Sequence, residues 1–474
     1  MLQNKANLQK DQYNICEEKD DQKLSFDGKI ITSKIGWLVR ISMVIGISGI
    51  MAYNVIIGIQ IGNPLIVFSV IFPFQELVVA YVGWFFYRNP AKGTAGDELV
   101  SVLVPIFNQE SMISTVIAAI ANSTYKNIEI IAINDGSTDG TKEILDNLKR
   151  KYHNLTIIHN RNSGKRYANF VGFAKTKGNV IVFIDSDSIL DKYAIEEFMK
   201  TFHACPDVGA VVGHAKVLNA EKNLLTKIQD SWYDSAFNIV KTTESKLGNV
   251  ICCSGCLSAY RRSVISNFIP LWNKTIHKQN INKETKYYKS NPWKNKKFAL
   301  YSKKILEWVS QFDDAEDIGL TAQTLVDWKT MYVSSAKVYT DVPENMNTFL
   351  KQQIRWKKGW IRAGFFLMTF FWKKDFLTSI IFYLNSISSF TMPVFIIVMF
   401  FYYPFILHQY LIPLLFLIGI ISIGMVQGLD YKFRNKTTTN WKYRPIASIF
   451  TGFVLPWLII PALLTFRKNQ WLTR

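Results

Sequence analysis

Residues 178–190 read GNVIVFIDSDSIL, five apolar residues at 180–184 running directly into Asp185, Ser186, Asp187 and Ser188. A short β-branched run bounded by Gly178 and Asn179 is the pattern of a buried strand. Two carboxylates one residue apart at its carboxyl end repel each other unless a cation stands between them.

Similar apolar runs occur at 100–105, 128–133, 155–158 and 208–212, separated by polar stretches of helical texture. Strands alternating with helices imply a mainly parallel α/β sheet, whose ligands sit beyond the carboxyl ends of the strands. Asp185 and Asp187 lie at such an end. This texture holds over 97–345, with a Lys-rich insert at 270–312 that reads as a solvated loop.

The flanks are different. With 474 residues, the chain is longer than one compact domain needs, and much of its 49% hydrophobic content lies in long runs near the two ends. Segments 36–59 and 65–87 each reach the roughly 20 residues of a spanning helix. Arg40, Arg88 and Lys92 put both ends of this 36–87 hairpin in the cytoplasm. Three more apolar segments, 376–401, 411–428 and 445–466, follow within 376–466. The gap at 404–409 lacks Lys and Arg, whereas Lys432, Arg434, Lys436, Lys442 and Arg444 mark the next gap as cytoplasmic. Pro456 and Pro461 interrupt the last segment and leave both parities open. Residues 346–375, with cations interleaved among large apolar side chains, read as amphipathic helices in the membrane interface.

Residues 1–35 are polar, lack the layout of a cleavable signal peptide, and read as a cytoplasmic tail. The formal charge of +19 concentrates beside the membrane segments and in the insert, which argues against nucleic acid as the partner. Five cysteines suggest no disulfide framework. Cys253-x-x-Cys256 has no second Cys/His pair at zinc spacing, so both are expected to pack as small residues.

The remaining signals are motifs: VSVLVPIFNQE (100–110), NDGSTDG (134–140), NSGKRYA (162–168), the D-x-D at 185–187, SQFDDAEDIGLTAQTL (310–325) and KQQIRW (351–356). Gly164 followed by Lys165 and Arg166 suits close backbone approach to a pyrophosphate with a cation at hand. Asp185 and Asp187 offer hard oxygen ligands to a divalent ion. A guanidinium suits phosphate oxygens, and a planar indole suits the C–H face of a pyranose.

Taken together, the series resembles the inverting, GT-A-fold family 2 glycosyltransferases that use nucleotide sugars. Residues 213–241, 248–265 and 339–360, with the final WLTR, narrow the resemblance to hyaluronan synthases of the bacterial membrane class. The resemblance implies a GT-A (Rossmann-like) α/β domain fused to transmembrane helices, embedded in the plasma membrane with its catalytic domain cytoplasmic. In such enzymes the position of Asp135 holds the uracil of UDP. Asp187 bridges Mg2+ or Mn2+ to the diphosphate, and Asp185 reaches the ribose or the metal's water shell. The last acid of the A-E-D triplet, Asp317, is the general base, with Asp313, Asp314 and Glu316 as competitors. Gln352, Arg355 and Trp356 form the Q-x-x-R-W of processive members, where Arg meets pyrophosphate and Trp stacks under the acceptor sugar. Arg474 helps to hold the nucleotide.

Three departures touch this pattern: Cys256 replaces Pro in S-G-P-L, Leu472 replaces Gly in W-G-T-R, and A-E replaces G-D before Asp317. The resulting expectation is a processive synthase that polymerises UDP-N-acetylglucosamine and UDP-glucuronate and passes the polysaccharide through its own helices, with Glu76 a candidate for lining the route. A chitin-like or other N-acetylglucosamine homopolymer synthase is the alternative, and a lipid-linked sugar transferase a weaker one. A scaffold that has lost catalysis is opposed by the intact acids.

Overall fold

The computed structural model describes residues 34–61, 64–266, 316–435 and 437–467. The N-terminal tail to residue 33, the Lys-rich insert and Arg474 lie outside the described residues, as do Asp313 and Asp314.

Two apolar helices, α1 (Lys34–Ile61) and α2 (Pro64–Phe86), precede the α/β domain. The domain opens with β1 (Val100–Ile106), α3 (Ile113–Ala121), β2 (Ile128–Asp135), α4 (Thr141–Lys151), β3 (Leu155–Asn160), α5 (Lys165–Phe173) and β4 (Val180–Phe183). All seven residues of β1 are buried, as expected of a strand covered on both faces by crossover helices. It pairs in parallel with β2 and β4, and β2 pairs in parallel with β3.

The chain continues through β5 (Ser188–Leu190), α6 (Ala194–Ala204), β6 (Val208–Val217), α7 (Leu224–Ser235), β7 (Ser258–Arg261), α8 (Glu316–Thr324) and β8 (Lys329–Thr340). The sheet order is β3-β2-β1-β4-β7-β6-β8-β5. The sequence disclosed five of these eight strands. It missed β7, inserted antiparallel between β4 and β6, and β5 and β8, which pair antiparallel at the far edge.

This order explains how β4 ends. Between β4 and β5 lie three strands, so a flat sheet would separate them by about 19 Å. Phe183 and Ser188 are five residue steps apart, at most about 18 Å even fully extended. The path is shorter still, because Ser188 N donates to the Asp185 carbonyl at 3.1 Å and closes a turn. The sheet must therefore curl, and Asp185 and Asp187 sit in the turn where it does so.

After β8 come α9 (Met346–Met368) and α10 (Phe376–Ile397), whose Asn345 and Asp375 caps accept from Thr348 N and Thr378 N, both at 2.9 Å. The helix α11 (Leu411–Arg434) follows. Phe376–Ile406, Leu411–Arg434 and Asn440–Thr465 are long and apolar enough to cross a membrane. The last loses regular α-helical winding from Phe450 to Leu458, where Pro456 removes a backbone donor.

A buried chain of alternating charge joins the two parts. Arg40 of α1 donates to Asp430 of α11 at 2.7 Å, Arg434 donates to Asp430 at 2.8 Å, and Arg434 forks onto Asp234 of α7 at 2.8 and 2.5 Å. Arg444 adds a 2.6 Å bond to Ser235. In α9, Lys358 and Arg362 are buried rather than arrayed at an interface, and Arg362 Nε donates to the Phe466 carbonyl at 2.9 Å. The row of cations in this helix is thus partly internal: some of them tie the helix to the end of the last apolar segment.

Candidate active site

Two loops face each other across the end of β2. Asp135 is buried, and its two carboxylate oxygens accept from Ser163 N at 3.0 Å and Gly164 N at 2.8 Å. Gly136 and Gly164 both have positive φ, and a Cβ on Gly136 would lie 2.6 Å from Asn162 N. NDGSTDG and NSGKR are therefore a single structural unit, locked by one carboxylate.

Gly164 leads into α5. Lys165, the first residue of that helix, crosses to the D-x-D turn, where its Nζ lies 2.6 Å from Asp185 Oδ1 and 2.8 Å from Glu316 Oε1. Burial works against the Lys165 ammonium, but the charges of Asp185 and Glu316 outweigh it and hold its pKa above the ordinary lysine value. Arg166 is directed inward and buried. Gly255 covers this cluster, and a Cβ there would meet Lys165 Nζ at 2.8 Å and displace the ammonium from its position.

Asp317, in the first turn of α8, adjoins the same cleft, which is lined by Pro105, Lys165, Asp185, Gly255, Ser258 and Glu316. Its Oδ1 accepts from Ile318 N at 2.7 Å. Its Oδ2 accepts long contacts from Gly255 N at 3.4 Å and Cys252 Sγ at 3.8 Å. Burial, then the neighbouring Glu316 charge, pushes the Asp317 pKa above the usual aspartate value, against the pull of Lys165. A carboxylate tuned in this direction is a better proton acceptor near neutral pH. Thr321 fixes its helix by donating to the Asp317 carbonyl at 2.7 Å while accepting from Cys253 N at 2.9 Å.

The Q-x-x-R-W residues lie on α9. Trp360 and Ala363 of that helix pack with Ile318, Ile251 and Cys252, next to Asp317. Trp356 is one turn earlier on the same face, with an exposed ring. Arg355 and both aspartates of D-x-D act electrostatically on Tyr233 of α7, whose hydroxyl pKa is raised chiefly by burial. The Gln352 amide oxygen is buried with no hydrogen-bond partner among the described residues.

Asp185, Lys165 and Asp317 therefore adjoin one cleft, with Asp187, Arg355 and Trp356 on its α7 and α9 side. Asp135 is one loop away, and Arg474 is outside the described residues. Sequence reasoning missed Glu316 as a partner of Lys165, Gly255 as the cover of the acidic turn, and Cys252 against the base. A glycine, a cysteine and a glutamate set among other acids carry little signal of their own, although S-G in 254–255 marked the loop. Cys253 is buried and Cys256 partly so, and burial pushes each thiol up to about 12, as suits packed small residues. Among the described residues no three His, Cys, Asp or Glu side chains form a metal cluster. The carboxylates of Asp185 and Asp187 suit a hard divalent ion that takes its other ligands from phosphate and water.

A family model for glycosyl transferase family 2 matches residues 101–268. Hyaluronan synthase of Streptococcus pyogenes is 30% identical over 408 residues, 84% of this chain and 88% of its own length. An N-acetylglucosaminyltransferase of Azorhizobium caulinodans is 29% identical over 268 residues, 56% of this chain and 60% of its own. Among solved structures, a mannosyltransferase of Pyrobaculum calidifontis, in complex with GDP-Man and Mn2+, aligns with a TM-score of 0.53 at 14% identity, covering 84% of this chain and 96% of its own. That likeness is one of fold. With three helices among the described residues long and apolar enough to cross a membrane, and with this relationship, the protein is a membrane protein and a glycosyltransferase, and the chain belongs to glycosyl transferase family 2, resembling the hyaluronan synthases.

Proposed function

We propose that this protein is a processive polysaccharide synthase that takes UDP-sugars at the cytoplasmic face and passes the growing chain through its membrane helices. UDP-N-acetylglucosamine and UDP-glucuronate are the proposed donors, as in a hyaluronan-like polymer. The observation that carries this reading is that α9 packs Trp360 and Ala363 against Ile318 and Cys252 next to Asp317, while Arg362 of the same helix donates to the Phe466 carbonyl at the end of the last apolar segment. A transferase that glycosylates a single carrier has no need of such a link.

In the proposed reaction, the acceptor chain rests on Trp356 with its terminal hydroxyl toward Asp317. Asp317 takes the hydroxyl proton as the oxygen bonds to the anomeric carbon from the face opposite UDP. The bond from that carbon to the UDP oxygen breaks, its electron pair leaves with UDP, and the configuration inverts. A divalent Mg2+ or Mn2+ held by Asp187, with Asp185 beside it, would neutralise the diphosphate. Arg355 and the Lys165–Arg166 pair add positive charge on the same side. Asp135 keeps the NSG loop shaped for the uracil, and Arg474 belongs to the nucleotide side.

A cavity of about 240 Å³ lies where α2 and α10 meet the α/β domain, lined by Glu76, Thr243, Glu244, Asn249, Thr378 and Asn385 among apolar residues. The ionisable and amide side chains set into its mostly apolar wall are the feature by which we assign it to the polymer's route. The 36–87 hairpin, the 97–345 domain, the 346–375 segment and the 376–466 spans are assigned to the parts of this machine.

The test is polymer formation by the purified full chain with Mg2+ or Mn2+. Polymer that requires both donors supports the hyaluronan-like product. Polymer from UDP-N-acetylglucosamine alone assigns the homopolymer. No turnover with any UDP-sugar overturns both.

A further inference from the structure

The helix α7 brings a second indole to the acceptor side. Trp232 is half-buried, and its ring centroid lies 6.2 Å from that of Trp356 with the planes inclined at 47°. Its other ring neighbour, Tyr233, stands edge-on at 87°. The two indoles form a bent apolar surface, and 39% of Trp356 remains exposed. This surface lies on the active cleft. Trp356 is one turn from Trp360, which packs beside the base, and Tyr233, adjacent to Trp232, feels Asp185, Asp187 and Arg355.

The α7 backbone is also unusually well fixed. Its first turn is closed by a reciprocal pair, Thr226 N to Asn223 Oδ1 and Asn223 N to Thr226 Oγ1, both at 3.0 Å. Its last turn is held by the Arg434 fork on Asp234, and Asp230 accepts from Tyr431 and Asn440 at 3.0 Å each. A side chain mounted so rigidly can define a subsite.

We propose that Trp232 is a second sugar-binding residue of the acceptor site, so that the Trp232–Trp356 corner holds two consecutive pyranose units of the growing chain. The claim rests on the polymerising function proposed above and deepens it: the ligand class is a β-linked oligosaccharide whose rings present C–H faces to both indoles. With only Trp356, a released chain end has one ring of contact. With both, it stays docked between additions and the product grows longer.

The experiment uses the full chain in detergent, comparing wild type, Trp232→Ala and Trp232→Phe. Calorimetric binding of N-acetylglucosamine tetramer, UDP binding and product length are read on each. Trp232→Ala is expected to weaken tetramer binding about tenfold and to shorten the product, with UDP binding within twofold of wild type. Trp232→Phe should restore most of both. Tetramer binding and product length unchanged in Trp232→Ala would overturn the proposal, as would equal loss of tetramer and UDP binding in both variants, which marks a packing role. Because tetramer binding needs no turnover, wild type that binds tetramer but makes no polymer would fail the polymerising function without deciding against Trp232.

Discussion

The molecule has two clusters of enclosed charge, and they are built on opposite principles. Along α1, α7 and α11, Arg40, Asp430, Arg434 and Asp234 alternate in sign, and each is at most 8% exposed in its side chain. In the cleft, Asp185, Glu316 and Asp317 gather around Lys165, which pairs with two of them. A balanced chain can only fix positions. An acid-rich one raises the proton affinity of Asp317 and favours cations, so the chemistry is found where the acids outnumber their cations.

The largest expected effect is on the acid-rich side. Asp317→Asn should reduce sugar transfer by about 10²–10⁴-fold while UDP binding persists. Retained transfer would assign the base to another acid. Next is the balanced side. Arg434→Ala leaves Asp234 buried without its cation and Asp430 with Arg40 alone, and should cost about 3–5 kcal/mol of stability, read as a lowered thermal midpoint of the purified protein. Replacing Arg434 and Asp234 together by apolar residues of similar size should recover most of it. A double variant as damaged as the single one would mean that the pair does more than balance charge.

A smaller effect separates the clusters by pH. In the proposed reaction Asp317 works as its carboxylate, so a raised pKa means that activity falls as pH drops through that raised value. Glu316→Gln removes a charge that pushes in this direction. The acid limb of the kcat profile should therefore move to lower pH, and a move upward would contradict the assigned cause. The smallest expected change is Asn223→Ala, which removes the α7 cap for about 1 kcal/mol and should leave the pH profile unmoved.

These two clusters were unequally legible in the sequence. D-x-D, NDGSTDG, NSGKR and Q-x-x-R-W are local patterns attached to strand or helix ends, and residues a few positions apart reveal them. The pairing of Asp234 with Arg434 joins residues 200 apart, and nothing local in either helix signals it. Scale limited the fold as well. β5 has only three residues and β7, reading SAYR, is polar at both ends, so neither shows a strand pattern, whereas the largely apolar, fully buried β1 and β4 were plain. Arg362 read as an interfacial cation because its neighbours are aromatic and basic, and only the fold reveals the Phe466 carbonyl that it serves. The two acids after β4 are likewise a matter of topology: Asp185 and Asp187 follow β4 because the curling sheet turns there, and that turn brings Asp185 to Lys165.

The most direct test of a single machine joining cleft and spans is made in sealed lipid vesicles with the α/β domain outward. UDP-sugars are supplied outside, and a polymer-degrading enzyme is added afterwards. Polymer that survives until detergent opens the vesicles is the expected result, since the chain extended at Asp317 would have passed inward. Polymer wholly degraded before detergent would contradict the claim that synthesis and passage belong to one chain.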